Sequence, residues 1–155
     1  MCQAVAMPRS AVPLALYDSP ALADRVYLRG KGCEPEVQFR WRHQPALLPV
    51  WLDGRVQVVR WGNRDRRGKL PPSGWTWAES VGAGRWAGLR PEPVVVPAAY
   101  CLVGGTWYRV REGVQALVVR DPAGPTAFVI VERASRYFGV MTRSAWAPAL
   151  VGEVI

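Results

Sequence analysis

The sequence predicts an α+β fold that is predominantly β, with a barrel-like strand core and a few short helices. Glycine (15) and proline (14) together make up about a fifth of the 155 residues, against about 12% in average proteins. Such a chain turns often, which disfavours long helices. Half of the residues are hydrophobic and only 21% are charged, so residues 1–155 can bury a core as one domain.

The helical signal lies near Ser19 and Pro20, because serine caps helices and proline suits the first helical position. Leu22 and Val26 follow four residues apart, as on one face of a helix. Glycines flank Lys31. We therefore predict a helix of two to three turns that ends near Lys31.

Alternating apolar and polar residues mark the first strands. Residues 37–44 (VQFRWRHQ) predict a half-buried strand with a basic face. Residues 47–61 (LLPVWLDGRVQVVRW) predict a hairpin, because Asp53-Gly54 is a strong two-residue turn signal between apolar arms.

A loop-rich segment over residues 62–92 separates these strands from the later ones. It contains GNRDRRGKLPPSG, a flexible and cationic stretch, and so long an irregular segment often serves function. A solvated loop is the alternative interpretation. The later predictions are a strand at 94–103, a hairpin over 104–119 turning at Arg111–Gly113, and a strand at 126–135 after the turn at 121–125. Residues 136–155 are ambiguous.

The charge and the cysteine content of the chain indicate which classes of partner and site to expect. The net charge is +8 and the pI about 10.1, with Lys31 and Lys69 the only lysines among 20 basic residues. A basic surface favours a polyanionic partner, although a GC-rich genome also enriches arginine. Cys2, Cys33 and Cys101 lie far apart without a CxxC pair, which excludes a zinc ribbon, and their odd number argues against a disulfide framework.

Three cysteines that form no disulfide framework indicate a reducing compartment, and we expect a cytoplasmic protein. The first residues lack the pattern of a secretory signal. No apolar run reaches the ~20 residues of a membrane span, so we expect no membrane partner. We predict neither a metal site nor a cofactor.

Six short motifs occur along the chain in a defined order. They are Met1-Cys2, Gln44-Pro45, Arg60-Trp61-Gly62, Ala78-Glu79-Ser80, Val96-Pro97-Ala98 and Met141-Thr142-Arg143. In this order the set resembles the SOS response-associated peptidase (SRAP) family, whose members begin Met-Cys-Gly-Arg. The resemblance implies a barrel-like β fold that binds single-stranded or damaged DNA without metal or cofactor.

The chain departs from the family pattern at positions where the family has functional residues. Trp75 stands where the family has asparagine, Val103 near its catalytic glutamate and Met141 where it has histidine. The only histidine, His43, lies in another segment. The chain therefore resembles a divergent member, of the type found in phages and prophages, and whether it acts as an enzyme stays open.

The resemblance implies Cys2 and Glu79 as catalytic residues. Family members remove Met1, which leaves the amine and thiol of Cys2 on adjacent carbons. A neutral amine attacks the aldehyde of a ring-opened abasic site, and the thiol then closes a thiazolidine. With Met1 retained, this ring cannot form. A small, buried and inert Cys2 is the alternative.

A single-strand site needs cations for phosphates and flat faces for bases. By family position or by charge, the candidates are Arg40, Arg42, Arg60, Trp61, Arg64, Arg66, Arg67, Trp75, Trp77 and Arg143. We assign Trp41, Trp51 and Trp107 to the core. Glu79 either orients the amino terminus or pairs with an arginine.

Two other functions stay open: a non-catalytic nucleic-acid-binding module on the same fold, and a phage-related structural or interaction protein. The sequence fixes neither the oligomeric state nor a preference for DNA over RNA. The DNA-binding interpretation makes one spatial prediction. The amino terminus should lie in a cationic groove bordered by the segments around residues 60, 79 and 143.

Overall fold

The structure is a computed structural model that describes residues 1–16 and 19–152. Its strands are β1 (Cys2–Pro8), β2 (Val26–Tyr27), β3 (Glu36–Arg40), β4 (Leu47–Leu52), β5 (Arg55–Trp61), β6 (Trp75–Trp77), β7 (Glu92–Val96), β8 (Tyr100–Val103), β9 (Thr106–Arg109), β10 (Val114–Asp121), β11 (Gly124–Arg133) and β12 (Trp146–Pro148). Its α-helices are α1 (Pro20–Ala23), α2 (Ala78–Gly82) and α3 (Arg136–Thr142), and 3-10 helices occupy Arg9–Ala11, Leu14–Leu16 and Ala87–Leu89.

Five strands close into a barrel. Their order is β10-β7-β4-β5-β11, and β11 pairs with β10 to complete the ring. The β5–β11 pair is parallel, with Arg60 opposite Thr126, and the other pairs are antiparallel. The predicted fold, predominantly β with a barrel-like core and short helices, is confirmed.

A second sheet carries the amino terminus. It has the order β2-β3-β1-β8-β9 and is antiparallel throughout, so that β1 lies between β3 and β8. One apolar cluster joins both sheets, with Val5 and Phe39 from this sheet and Val50 and Val129 from the barrel. Because β1 is the central strand of this sheet, the backbone at residue 2 lies inside the sheet and not at its edge.

The predicted helix of two to three turns is wrong in its extent. Helix α1 ends at Ala23, and Leu22 is its only buried residue. Val26 and Tyr27 instead form β2, where Val26 lies opposite Val37. Valine and tyrosine favour strands, and one buried leucine is too small an apolar face to extend a helix.

The first predicted hairpin is confirmed. Strands β4 and β5 meet at Asp53 (φ 54°) and Gly54 (φ 76°), the left-handed pair that a tight hairpin turn requires. The turn at residues 121–125 is also confirmed, with Asp121 opposite Gly124 in the β10–β11 hairpin.

The second predicted hairpin is wrong in its pairing. Strand β9 turns back on β8 at Gly104-Gly105, and β10 leaves this sheet to pair with β7 and β11. The two glycines have φ of 56° and 80°, which L-residues rarely adopt. They make the tight turn, so Arg111–Gly113 becomes a connection between sheets.

The loop-rich segment is largely irregular, but it docks on the barrel. Leu70 and Trp86 pack against Phe128 and Ile130 in a second apolar cluster. The ambiguous segment from residue 136 contains α3 and β12, while its residues 153–155 lie outside the described part of the chain. Ser135 caps α3, since its hydroxyl accepts from the Phe138 amide at 3.2 Å.

The assignment of three tryptophans to the core is corrected. Trp51 is 49% exposed, because it points to the face of β4 opposite its buried neighbours Val50 and Leu52. Trp41 and Trp107 are only partly buried. Trp41 packs against the edge of the core, so it still offers surface to a ligand.

Candidate functional site

Two hydrogen bonds fix the amino terminus. The Trp75 indole Nε1 donates to the Cys2 carbonyl at 2.9 Å, and the Met1 amine donates to the Ser144 hydroxyl at 3.3 Å. Burial lowers the pKa of this amine from its usual value of 8.0. The start of the chain therefore lies between β6 and the segment that follows α3.

A cavity of about 400 Å³ opens beside this terminus. It is lined by Met1, Gln3, Arg40, Trp41, Arg42, Trp75 and Leu102, and we call it the terminal cleft. Among the described residues no carboxylate lines it. Two indoles and two guanidiniums at one opening provide both groups that a single-stranded nucleic acid needs, cations for phosphates and flat surfaces for bases.

The indoles of Trp41 and Trp75 line the terminal cleft, and the Trp61 indole packs against both of them. The ring centroids of Trp41 and Trp75 lie 5.1 Å apart, and those of Trp61 lie 5.8 and 6.1 Å from the other two. Trp61 is buried and donates from Nε1 to the Gly74 carbonyl at 3.0 Å. Trp61 therefore has no exposed face on which a base could stack. Its ring supports those of Trp41 and Trp75 from beneath.

A glycine makes this packing possible. A Cβ at Gly74 would lie 2.8 Å from the Trp41 ring and 3.0 Å from the Trp61 Nε1 atom. Any larger residue would therefore push Trp41 away from the wall.

Arg40 and Arg42 line the terminal cleft, and Arg64 packs on one of its lining indoles. The Arg64 guanidinium lies 4.5 Å from the centroid of the Trp41 ring and donates to the Trp41 carbonyl. Arg40 is held by Gln38, whose Oε1 accepts at 2.6 and 3.0 Å. Arg42 is exposed at the rim. Arg66 and Arg67 are exposed in the same loop as Arg64, and none of these three arginines lines the cleft.

Arg60 lies elsewhere, contrary to prediction. Its guanidinium donates to Asp121 at 3.1 Å and to Thr126 at 2.7 Å, beside a different cavity of about 570 Å³. Successive residues of a strand point to opposite faces. With Trp61 on the cleft side, Arg60 is directed away from it.

The Cys2 thiol points into the core. Its side chain is fully buried, and Sγ donates to the Ala4 carbonyl at 3.3 Å. Burial, together with the neighbouring Cys2 thiol, raises the pKa of Cys101. Met1 and Gln3, on either side of Cys2, line the terminal cleft, whereas the Cys2 sulfur is turned away from it.

Glu79 lies beyond the terminal cleft rather than beside Cys2. It lines a cavity of about 340 Å³ together with Trp77 and Trp146, whose ring centroids are 4.1 Å apart. Arg143 is exposed at the end of α3, with φ 53°. Of the three predicted borders, the segment around residue 143 contacts the terminus through Ser144, and Trp61 supports the cleft wall.

Ser144 and Trp146 were not among the residues predicted from the sequence. Ser144 donates from its hydroxyl to the Trp146 carbonyl at 2.6 Å while accepting from Met1. A signal was present, because Ser135 is a capping residue at the start of the apolar run YFGVM. It marks the start of α3, and this helix ends at Thr142, two residues before Ser144.

The comparisons supply no relative. No protein-family model, no curated protein and no solved structure matches this chain. Within residues 1–16 and 19–152, no group of three or more His, Cys, Asp or Glu side chains could hold a metal ion. The same part of the chain has no helix long and apolar enough to cross a membrane.

Proposed function

We propose that this protein binds single-stranded DNA in the terminal cleft, as a divergent relative of the SRAP family that acts on damaged DNA. The observation that carries the proposal is the lining of the cleft. Trp41 and Trp75 offer indole surface, Arg40 and Arg42 offer positive charge, and the described lining contains no carboxylate to repel phosphate.

The energetics favour nucleic acid over a purely structural role for these groups. Stacking on an aromatic side chain is worth about 1–3 kcal/mol per base. Each arginine that neutralises a phosphate adds a term that weakens with salt. Asp53, Glu92 and Asp121 neutralise Arg60 and Arg120 on other faces, whereas neither arginine of the cleft has a carboxylate within salt-bridge distance among the described residues.

Fluorescence anisotropy with a labelled ten-nucleotide single strand tests the proposal. We expect Trp41→Leu to weaken binding roughly 5- to 100-fold, which corresponds to the loss of one stacked base. Trp51→Leu is the matched control, because Trp51 is an exposed indole that does not line the cleft. Affinity should also fall steeply as salt rises. Equal affinities for the two variants, or an affinity that ignores salt, would refute the proposal.

Covalent capture of an abasic site at residue 2 is a second candidate. The bond from Trp75 Nε1 holds the Cys2 carbonyl at the cleft wall, so a chain that starts at Cys2 would present its α-amine there. The amine nitrogen adds to the aldehyde carbon, and loss of water leaves a Schiff base. Thiazolidine closure would then require the buried thiol to rotate out of the core.

Borohydride trapping distinguishes the covalent from the reversible activity. The chain starting at Cys2, released by a specific protease, is mixed with an abasic single-stranded oligonucleotide, reduced and run on a denaturing gel. A retarded band is expected, and Cys2→Ser should retain it because the amine is unchanged. The chain that keeps Met1 is the control for the position of the amine. Absence of a band from the chain starting at Cys2 removes the covalent candidate and leaves reversible binding intact.

A further inference from the structure

We propose that the cavity at Trp77 and Trp146 is a base-reading pocket of the same single-strand site. It would accept a nucleobase with an exocyclic amino group, namely cytosine, adenine or guanine, in preference to thymine. This inference rests on the proposed function and adds a base preference to it.

The pocket continues the terminal cleft along β6. Trp75 and Trp77 are two residues apart on the same face of the strand, which separates them by about 7 Å. On the other side, Ser144 joins the Met1 amine to the Trp146 backbone. A single-stranded nucleic acid that crosses the terminal cleft at Trp75 therefore reaches Trp77 and Trp146 next.

The walls of the pocket suit a base rather than a phosphate. The two indoles lie 4.1 Å apart at an interplanar angle of 51°, and Trp77 is 39% exposed, so flat apolar surface is available for stacking. The charged residues of the lining are Glu79, Glu132 and Arg133. Two carboxylates against one guanidinium give this pocket the opposite charge balance from the terminal cleft.

These three charged side chains are available to a ligand. None of them has a hydrogen-bond, ion-pair or ring partner within residues 1–16 and 19–152. An ionised carboxylate only accepts hydrogen bonds, and a guanidinium only donates them. The pocket thus offers unused acceptors beside a donor, the pattern that pairs with the edge of an amino-bearing base.

Thymine is disfavoured by repulsion as well as by lost bonds. Amino groups of cytosine, adenine and guanine donate to a carboxylate, as glutamate does with the N4 amino group of cytosine. Thymine presents two carbonyl oxygens on either side of its single N–H, and these oxygens would face the carboxylates. Discrimination therefore includes a repulsive element against the wrong base.

The test compares labelled homopolymer strands of ten deoxycytidines, ten deoxyadenosines and ten thymidines by anisotropy. We expect the wild-type protein to bind the cytidine and adenosine strands roughly 5- to 100-fold more tightly than the thymidine strand. The double variant Glu79→Gln/Glu132→Gln should lose most of this preference, because an amide also donates to thymine carbonyls. Glu112→Gln, in the loop between β9 and β10, is the matched control and should keep it.

The outcomes separate the two proposals. Tight binding of all three strands with equal affinity would overturn the base preference and leave the single-strand site standing. A preference that persists in the double variant would also overturn it, since stacking alone would then explain the order. If no strand binds to any form of the protein, the single-strand site and its base pocket both fall.

Discussion

Trp75 is the residue on which the site depends. It anchors the Cys2 carbonyl through Nε1, packs against Trp41 and Trp61, and lines the terminal cleft. The resemblance to the SRAP family predicted Trp75 as a nucleic-acid-binding residue, at a position where members of that family have asparagine. The hydrogen bond to residue 2 could not be predicted, because it joins positions 73 residues apart.

We expect Trp75→Phe to destabilise the protein by about 1–3 kcal/mol, because the substitution leaves the Cys2 carbonyl without its donor. The free energy of unfolding in urea measures this. Trp51→Phe, at an exposed indole with no side-chain hydrogen bond among the described contacts, should change it by less than about 0.5 kcal/mol. Equal effects of the two substitutions would contradict the anchoring role of Trp75.

His43 reports on the charge of the terminal cleft. Desolvation, followed by the charges of Arg25, Arg40 and Arg42, lowers its pKa from 6.5. The folded state therefore binds the proton less readily than the unfolded state. This histidine makes the protein less stable as pH falls from above 6.5 through the folded-state pKa.

NMR titration of the single histidine ring measures that pKa directly. Arg42→Gln should raise it toward 6.5 by removing a positive neighbour. Addition of single-stranded DNA should raise it as well, because phosphates near Arg40 and Arg42 favour the protonated ring. A His43 pKa that responds to neither change would exclude phosphate from this side of the cleft.

At the scale of secondary-structure elements, local sequence signals predicted the positions of turns well but predicted poorly which strands pair. Asp53-Gly54 and the turn at 121–125 were predicted from turn chemistry alone. The second hairpin failed because Arg111–Gly113 and Gly104-Gly105 are both plausible turns, and the choice depends on distant partners in the barrel. Strand alternation alone, however, excludes Arg60 and Trp61 from facing one groove together.

The turn of the β8–β9 hairpin lies very close to the end of α3. A Cβ at Gly104 would lie 1.8 Å from the Thr142 carbonyl oxygen, whereas Gly105 has open space around it. Both residues have positive φ, so alanine is strained at either position. Gly104→Ala should therefore destabilise by at least about 2 kcal/mol more than Gly105→Ala, measured by urea unfolding. A smaller difference would mean that α3 moves away at little cost.

At the scale of the whole molecule, composition predicted the fold class, whereas the strand topology determines which residues lie together at the candidate site. Gly and Pro content, alternation and turns sufficed for a barrel-like β fold, which the closed ring of five strands confirms. The +8 charge does not say which arginines are available, since burial, alternation and nearby acids decide that. Arg60 and Arg120 are paired on other faces, while Arg40 and Arg42 remain at the terminal cleft.

The central claim is that a single strand lies along the indoles beside the amino terminus, and NMR of the indole N–H groups tests it most directly. The eight tryptophans give separate signals that single substitutions assign. On addition of a ten-nucleotide cytidine strand, the signals of Trp41, Trp75, Trp77 and Trp146 should shift together, and that of Trp51 should stay in place. Shifts confined to Trp51 and Trp107, with Trp41 and Trp75 unchanged, would contradict the account.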